Sequence, residues 1–244
     1  MKSYEPMRSF DEEAAEVYDE RDGRDDTMAT VAFLAQLAGG GPALELAIGT
    51  GRVALPLAAQ GVRVDGIDLS PAMVAKLRAK PGGDHLAVTM GDFASEPVQG
   101  AYHLIYLVYN TLFNLLTQDD QVRCFQNVAA HLTEAGSFVV EAYVPTYLTR
   151  LRSNQYVDAE AIEVDEVTFD VGRHDPVKQL YYESHVVLSR EGVRLFPIVN
   201  RYAWPSELDL MARIAGLRLR ERWADWNREP FTATSTSHVS VYGR

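Results

Sequence analysis

Residues 43–70 read ALELAIGTGRVALPLAAQGVRVDGIDLS. An apolar run leads into glycines at 49 and 51, then a helical stretch closed by Gly61, then a second apolar run ending in Asp68. That order is strand, tight turn, helix, strand, and it commits the chain to a parallel βαβ unit. Gly49 and Gly51 let the backbone turn sharply and come close to a ligand. The helix N–H groups point into the same space, and Asp68 stands where a carboxylate accepts both hydroxyls of a ribose. Taken alone, GTGRVA at 49–54 also satisfies a nicotinamide-dinucleotide fingerprint with alanine in last place. The loop does not choose the ligand by itself.

The remaining pattern extends the unit. Residues 11–20 and 26–38 read as helices. SPAMVAKLRAK (70–80) carries Ser70 as N-cap and Pro71 at the first helical position, a strong helix start. HLAVTMGDF (85–93) and AYHLIYLVYNTL (101–112) hold a third and a fourth strand, QDDQVRCFQNVAAHL (118–132) a helix and GSFVVEAYV (136–144) a fifth strand. Five alternations of strand and helix over 43–144 predict a doubly wound, mostly parallel sheet with helices on both faces. From 151 to 202 the pattern changes to AIEVDEVTFDVGR, KQLYYESHVVLSR and VRLFPIVNRYAW, with turns at HDPVK and SREGV. These alternating runs predict an antiparallel insert. A helix at PSELDLMARIAGL and strands at RLRERWADW and HVSVYGR complete seven strands in the main sheet. The expected division is a helix and ligand-binding core over 1–150, the β insert over 151–202 and the closing elements over 203–244.

Charge and composition restrict the partners. The formal net charge is −11, and no basic patch offers a surface for nucleic acid. No apolar stretch reaches the length of a membrane span, and the acidic N-terminal segment reads as neither signal nor transit peptide, so a cytoplasmic protein is expected. The single cysteine, Cys124, lies in a helical pattern and reads as a small buried residue. No Ser/His/Asp set and no metal cluster with ligand spacing is legible; the expected metal is none.

Three features move the ligand away from a dinucleotide. Glu45 precedes the glycine loop, where a carboxylate gives a pyrophosphate nothing but can attract the ammonium of a sulfonium cofactor. GDF at 91–93 follows the third strand, so Asp92 can accept from an adenine amine with Phe93 beside it. The chain also ends in a strand placed to insert antiparallel. With these residues the region resembles the cofactor half of the class I S-adenosylmethionine-dependent methyltransferases, over roughly 14–144, and WPSELDLMARIAGLRLRERWADW resembles that family's ending. The insert, through its layout and ESHVVL, resembles more loosely the subfamily of glycine N-methyltransferase and the antibiotic sugar N-methyltransferases.

The resemblance implies S-adenosylmethionine as cofactor and an enzyme that methylates an amine or hydroxyl of a small molecule in specialised metabolism. A nicotinamide oxidoreductase and a non-catalytic cofactor-binding protein are the alternatives. It implies that the loop from Glu45 through Ala47, Gly49 and Gly51 to Arg52 wraps the methionine part and that Asp68 holds the ribose. Leu69 and Met73 then pack on the adenine, Gly91, Asp92 and Phe93 finish its pocket, and Val108 and Asn110 border the sulfonium with Tyr109. Tyr18, in AEVYDE, is implied to lie over the cofactor from a lid helix.

Methyl transfer is an in-line displacement, and alignment alone can supply several kcal/mol, of order 7–11 in the best cases. Few strictly catalytic groups are therefore needed. Residues expected to face the acceptor are Tyr18, Asn110, Tyr143, His185, Arg201 and Tyr202, with Tyr18, His185 and Arg201 as the catalytic set. The insert is expected to roof the acceptor with Tyr181, Glu183 and His185 pointing in, rather than Tyr182, Ser184 and Val186. A homodimer surface is the other use for that sheet.

Overall fold

The computed structural model describes residues 9–21, 25–151 and 153–244. The core sheet is built from β1 (Ala43–Leu46), β2 (Val64–Asp68), β3 (Ala87–Met90), β4 (Tyr102–Leu107), β5 (Leu132–Tyr143), β10 (Arg218–Trp223) and β11 (Ser237–Gly243). They lie in the order β10-β11-β5-β4-β1-β2-β3. Strands β1 to β5 are parallel where they pair, and β11 runs antiparallel to both β5 and β10. The expected seven strands and antiparallel last strand are both present.

Helices cover the two faces. α2 (Thr27–Ala38), α3 (Ala54–Ala59) and α4 (Pro71–Ala79) belong to one side, where Val31, Phe33, Leu34, Leu57 and Leu77 are buried together. α5 (Gln118–His131) and α6 (Pro205–Ile214) cover the other, with Phe125, Val128, Leu208 and Met211 packed on Phe138 and Tyr242. Cys124 is fully buried in this second cluster. The Ser70 cap forms as its sequence requires: its Oγ accepts the Met73 N–H at 3.2 Å and Pro71 opens α4.

The strand–helix alternation has one gap. β3 runs to β4 through residues 91–101 without a helix. GDFASEPVQGA offers no apolar face of helical period, and Asp92 Oδ1 takes the Ala94 N–H at 2.9 Å to close a tight turn. A second difference lies in the insert, which has four strands: β6 (Gln155–Ile162), β7 (Glu166–Asp175), β8 (Leu180–Ser189) and β9 (Gly192–Arg201). AIEVDEVTFDVGR is a hairpin rather than one run, folded where Glu163 N–H donates to Glu166 C=O at 2.9 Å. The four strands form a separate antiparallel sheet in chain order.

The chain leaves β1 for β2 in one direction across the sheet and reaches β4 and β5 in the other. The crevice above the carboxyl ends of β1 and β4 is therefore the switch point where open α/β sheets bind ligands. The insert departs from the end of β5, on the same edge. α1 (Glu12–Arg21) lies over α4 and buries Ala14 and Ala15. Among the described residues no helix is long and apolar enough to cross a membrane.

Candidate active site

The glycine loop is shaped from below. Gly51 has φ +81°, and a Cβ there would meet Leu77 Cδ1 at 2.3 Å, so only glycine lets the loop rest on α4. Gly49 has φ +56° with Met73 at 3.5 Å from an added Cβ, leaving space in front of the loop. Asp68 Oδ2 accepts the Gly49 N–H at 2.7 Å and Oδ1 the Ser70 N–H at 2.8 Å. Burial pushes the Asp68 carboxyl above its ordinary value against those two donors.

A cavity of ≈ 290 Å³ opens in front of this loop. Ala47, Gly49, Asp68, Leu69, Met73, Asp92 and Phe93 line it, all of them expected there. Among the described residues the wall includes carboxylates at Asp68, Asp92 and Asp120 and no lysine or arginine. A pyrophosphate would meet charge of its own sign. A nucleoside carrying a sulfonium and an ammonium instead finds a ribose acceptor in Asp68, apolar walls for the base in Leu69, Met73 and Phe93, and carboxylates for its positive charge. The residues fit S-adenosylmethionine and reject a dinucleotide.

The other expected cofactor residues do not line the cavity. Glu45 is buried beneath the loop, where its Oε2 accepts the Tyr106 hydroxyl at 3.0 Å. Burial pushes the carboxyl up to about 8 despite that bond, so Glu45 is a largely neutral brace and not an anion facing an ammonium. Arg52 donates to Thr27 Oγ1 at 3.0 Å and lies over the Tyr109 ring. Gly91 N–H donates to Asp68 C=O at 2.9 Å, and Val108 is a core residue. These four shape the walls from behind.

A second cavity of ≈ 630 Å³ adjoins the first. Phe10, Tyr18, Thr111 and Asn114 line both, so Tyr18 stands at the junction. Its floor is a strained turn at the end of β4, where Tyr109 and Asn110 have φ +57° and +61°. β5 holds that turn: Glu141 Oε2 accepts the Tyr109 N–H at 2.8 Å, and Asn110 Oδ1 accepts the Tyr143 N–H at 2.7 Å. Tyr181, Glu183 and His185 face this cavity from β8, whereas Tyr182, Ser184 and Val186 do not line it. Tyr156 and Tyr181 stack with ring centroids 5.8 Å apart, and both hydroxyls donate to Glu183 Oε2. His185 Nδ1 lies 3.0 Å from Asp170 Oδ1 and 3.4 Å from Glu160 Oε2. Burial, reinforced by the charges of Glu183 and Glu160, pushes Asp170 up to about 7.

Two residues expected at the acceptor lie elsewhere. Arg201 is buried at the root of the insert and lines neither cavity. Its guanidinium is committed to Gln121 Oε1 at 2.5 Å, Gln179 Oε1 at 2.6 Å and Glu207 Oε1 at 2.7 Å. A buried arginine takes the nearest acceptors, and here these belong to α5, α6 and the β7–β8 turn. Tyr202 is likewise buried, with its hydroxyl 2.9 Å from His174 Nε2. Sequence reading missed Phe10, Tyr147, Tyr156, Asp158, Glu160 and Asp170. The alternation of Tyr156, Asp158 and Glu160 at period two was the available signal for one shared face. Nothing local marks Phe10 or Asp170.

Residues 43–136 match the family model described as a methyltransferase domain. The chain is similar to the cypemycin N-terminal methyltransferase of a Streptomyces species, with 25% identity over 82% of each chain. It is similar in structure to the CcbJ methyltransferase of Streptomyces caelestis, with 41% identity over 98% of this chain and 99% of that one and a TM-score of 0.92. CalS10 of Micromonospora echinaspora, an amino pentose methyltransferase solved with S-adenosylmethionine bound, shares the fold at 20% identity, covering 93% of this chain and 95% of that one with a TM-score of 0.68. The carboxylate-lined cofactor cavity and the full-length likeness to a methyltransferase agree: the chain belongs to the S-adenosylmethionine-dependent methyltransferases.

Proposed function

We propose that the protein methylates an amine nitrogen of a small molecule in specialised metabolism. The observation that carries this reading is the charge of the second cavity. Among the described residues, Asp158, Glu160, Asp170 and Glu183 line it with His185, and no lysine or arginine does. An ammonium is drawn to these carboxylates and can leave its proton there, whereas an alcohol carries no charge for them to attract. N-methylation by the similar cypemycin enzyme points the same way.

When bound, S-adenosylmethionine supplies a methyl carbon already activated by its sulfonium. The protein's own residues do the rest. Asp68 and the apolar wall fix the cofactor's position. Tyr18 and Phe10 cover the junction between the cavities and exclude water. Glu183, backed by Tyr156 and Tyr181, holds the acceptor as an ammonium. Glu183 also takes the proton that must leave before nitrogen can attack, and His185, with Nδ1 held by Asp170, lines the same wall one step outward. Arg201 is a positioning residue that ties the insert to α5 and α6. The insert, residues 151–202, is thus the acceptor roof, and the described parts of 1–150 and 203–244 supply the lid helix and the core.

The remaining expectations belong to the same reading. The net charge of −11 supports an enzyme that does not bind nucleic acid. Exposed Val157, Leu188, Val193 and Leu195 on the insert support pairing of two copies there.

Incubation with trideuteromethyl-labelled S-adenosylmethionine and matched panels of amines and alcohols tests the function. Label is expected on nitrogen. Transfer to alcohols alone, or to neither panel, would overturn the proposal.

A further inference from the structure

We infer that the acceptor is a phosphate-free dication, whose second basic group rests on Glu160, Asp170 and His185 while the reacting nitrogen rests at Glu183. This inference rests on the amine reading above and narrows its substrate class.

The cavity has two acidic poles at different depths. Tyr181, Glu183 and His185 face it at every second residue of β8, and such neighbours stand about 7 Å apart along a strand. β8 begins beside the core, where Leu180 pairs with Arg201. Tyr181 meets Tyr147 there at 6.3 Å, and Tyr147 meets Tyr143 at 5.8 Å. The Glu183 pole is therefore nearer the core, and the His185 pole lies one step outward. At that outer pole β7 pairs Asp170 with His185 of β8 and with Asp158 of β6, and Glu160 lines the same cavity. One ligand atom from each of Glu160, Asp170 and His185 lies within 4.8 Å of the others.

The charges do not balance without a ligand. Among the described residues four carboxylates line the cavity, and His185 is the one lining side chain able to carry positive charge. Among these side chains even a protonated imidazole leaves the carboxylates in excess, with Asp170 only partly ionised near neutral pH. Burial first, and then the charges of Glu183 and Glu160, raise Asp170. A single ammonium at Glu183 leaves the outer pole uncompensated. A dication spanning about 7 Å satisfies both, and a phosphate is repelled from either. A further polar group also waits for a partner: Tyr143 Oη, buried in the wall of this cavity, has no hydrogen-bond partner of good geometry among the described residues. The volume of ≈ 630 Å³ has room for a two-ended ligand.

Calorimetry on the full chain loaded with S-adenosylhomocysteine tests the inference, with 1,5-diaminopentane, 1-aminopentane and 5-aminopentanoate as probes. The diamine should bind about tenfold more tightly than the monoamine, and 5-aminopentanoate more weakly than either. Glu160→Gln should erase the diamine's advantage, costing the diamine much more affinity than the monoamine, while leaving cofactor affinity unchanged. Glu183→Gln should weaken both amines. Equal affinity for diamine and monoamine overturns the inference, as does stoichiometric Mn²⁺ or Zn²⁺ binding at the outer pole with no diamine response. If monoamines are methylated and the diamine gains nothing, the inference fails and the amine reading stands. If no amine is methylated, the amine reading fails whatever the diamine does.

Discussion

Asp68 Oδ2 lies 2.7 Å from the Gly49 amide nitrogen, so the acid that ends β2 holds the loop that ends β1. The same carboxylate keeps outward lone pairs on the wall of the cofactor cavity. Loop geometry and ribose binding therefore share one side chain. Asp68→Ala removes the acceptor of the Gly49 and Ser70 N–H groups as well as that of the cofactor hydroxyls. Cofactor affinity should fall at least tenfold, at roughly 1.5–3 kcal/mol for each charge-assisted bond. The melting temperature should fall with it. Calorimetric titration with S-adenosylhomocysteine gives the first quantity, and unchanged affinity in a folded variant would refute the assignment.

Glu45 gives a pH signature. Its folded carboxyl is pushed up to about 8 by burial, while the unfolded chain titrates at its ordinary value near 4.5. Below 4.5 both states hold the proton and Glu45 makes no pH-dependent contribution. As pH rises from 4.5 to 8 the unfolded state ionises first, and stability is lost. Glu45→Gln keeps the neutral shape and removes that loss. Melting curves of variant and wild type should lie closest near pH 4.5 and separate by several degrees by pH 8 in favour of the variant, a difference of order a few kcal/mol. A constant separation across this range would mean that Glu45 is ionised in the folded protein.

Arg201 separates positioning from catalysis. Truncating one partner of a buried pair leaves the other charge uncompensated, at a cost of about 3 kcal/mol for a partner as open as Glu207. Arg201→Ala should lower the melting temperature by roughly 6–12 °C at the 2–4 °C per kcal/mol of a domain this size. The folded fraction should keep its affinity for S-adenosylhomocysteine. Wild-type stability together with lost turnover would return Arg201 to the acceptor.

These variants also mark what the sequence could reveal. Gly49, Gly51, Asp68 and Asp92 were legible because local backbone geometry and strand ends dictate them. Phe93 followed from its place beside Asp92, while Met73 came only from the family resemblance. Glu45 was legible as a feature but not in its orientation, since pleat direction at the end of β1 decides whether a carboxylate faces the ligand or the core. Arg201 misled for a related reason. Its place beside the last helix was correct, but its partners Gln121 and Gln179 lie 80 and 22 residues away in the chain. Asp170 meets His185 only through the register of β7 on β8, which no local pattern specifies.

The N-terminal helix is the remaining test, and its contacts define what must be measured. Asp19 of α1 accepts from Thr50 Oγ1 at 2.6 Å and pairs with Lys80 Nζ at 2.7 Å, while Lys80 also donates to Thr50 C=O at 2.9 Å. Burial works against the Asp19 charge, but Lys80 and Thr50 outweigh it and hold the carboxyl below its usual range. Ahead of α1, Ser70 Oγ donates to Phe10 C=O at 2.6 Å and Ser9 Oγ to Pro197 C=O at 2.5 Å. One short segment thus bonds the glycine loop, the start of α4 and the insert, while Phe10 and Tyr18 close both cavities. Such polar contacts are individually weak, so the segment can open to admit cofactor. Hydrogen exchange over residues 9–19 should slow when S-adenosylhomocysteine is added, because a filled cavity gives Phe10 and Tyr18 a surface to pack on. Lys80→Ala should speed exchange in the free protein and raise the cofactor dissociation rate several-fold, with little change in the association rate. Exchange that is equally slow with and without ligand would make α1 a fixed wall of the site, and the Lys80 variant would then leave both rates unchanged.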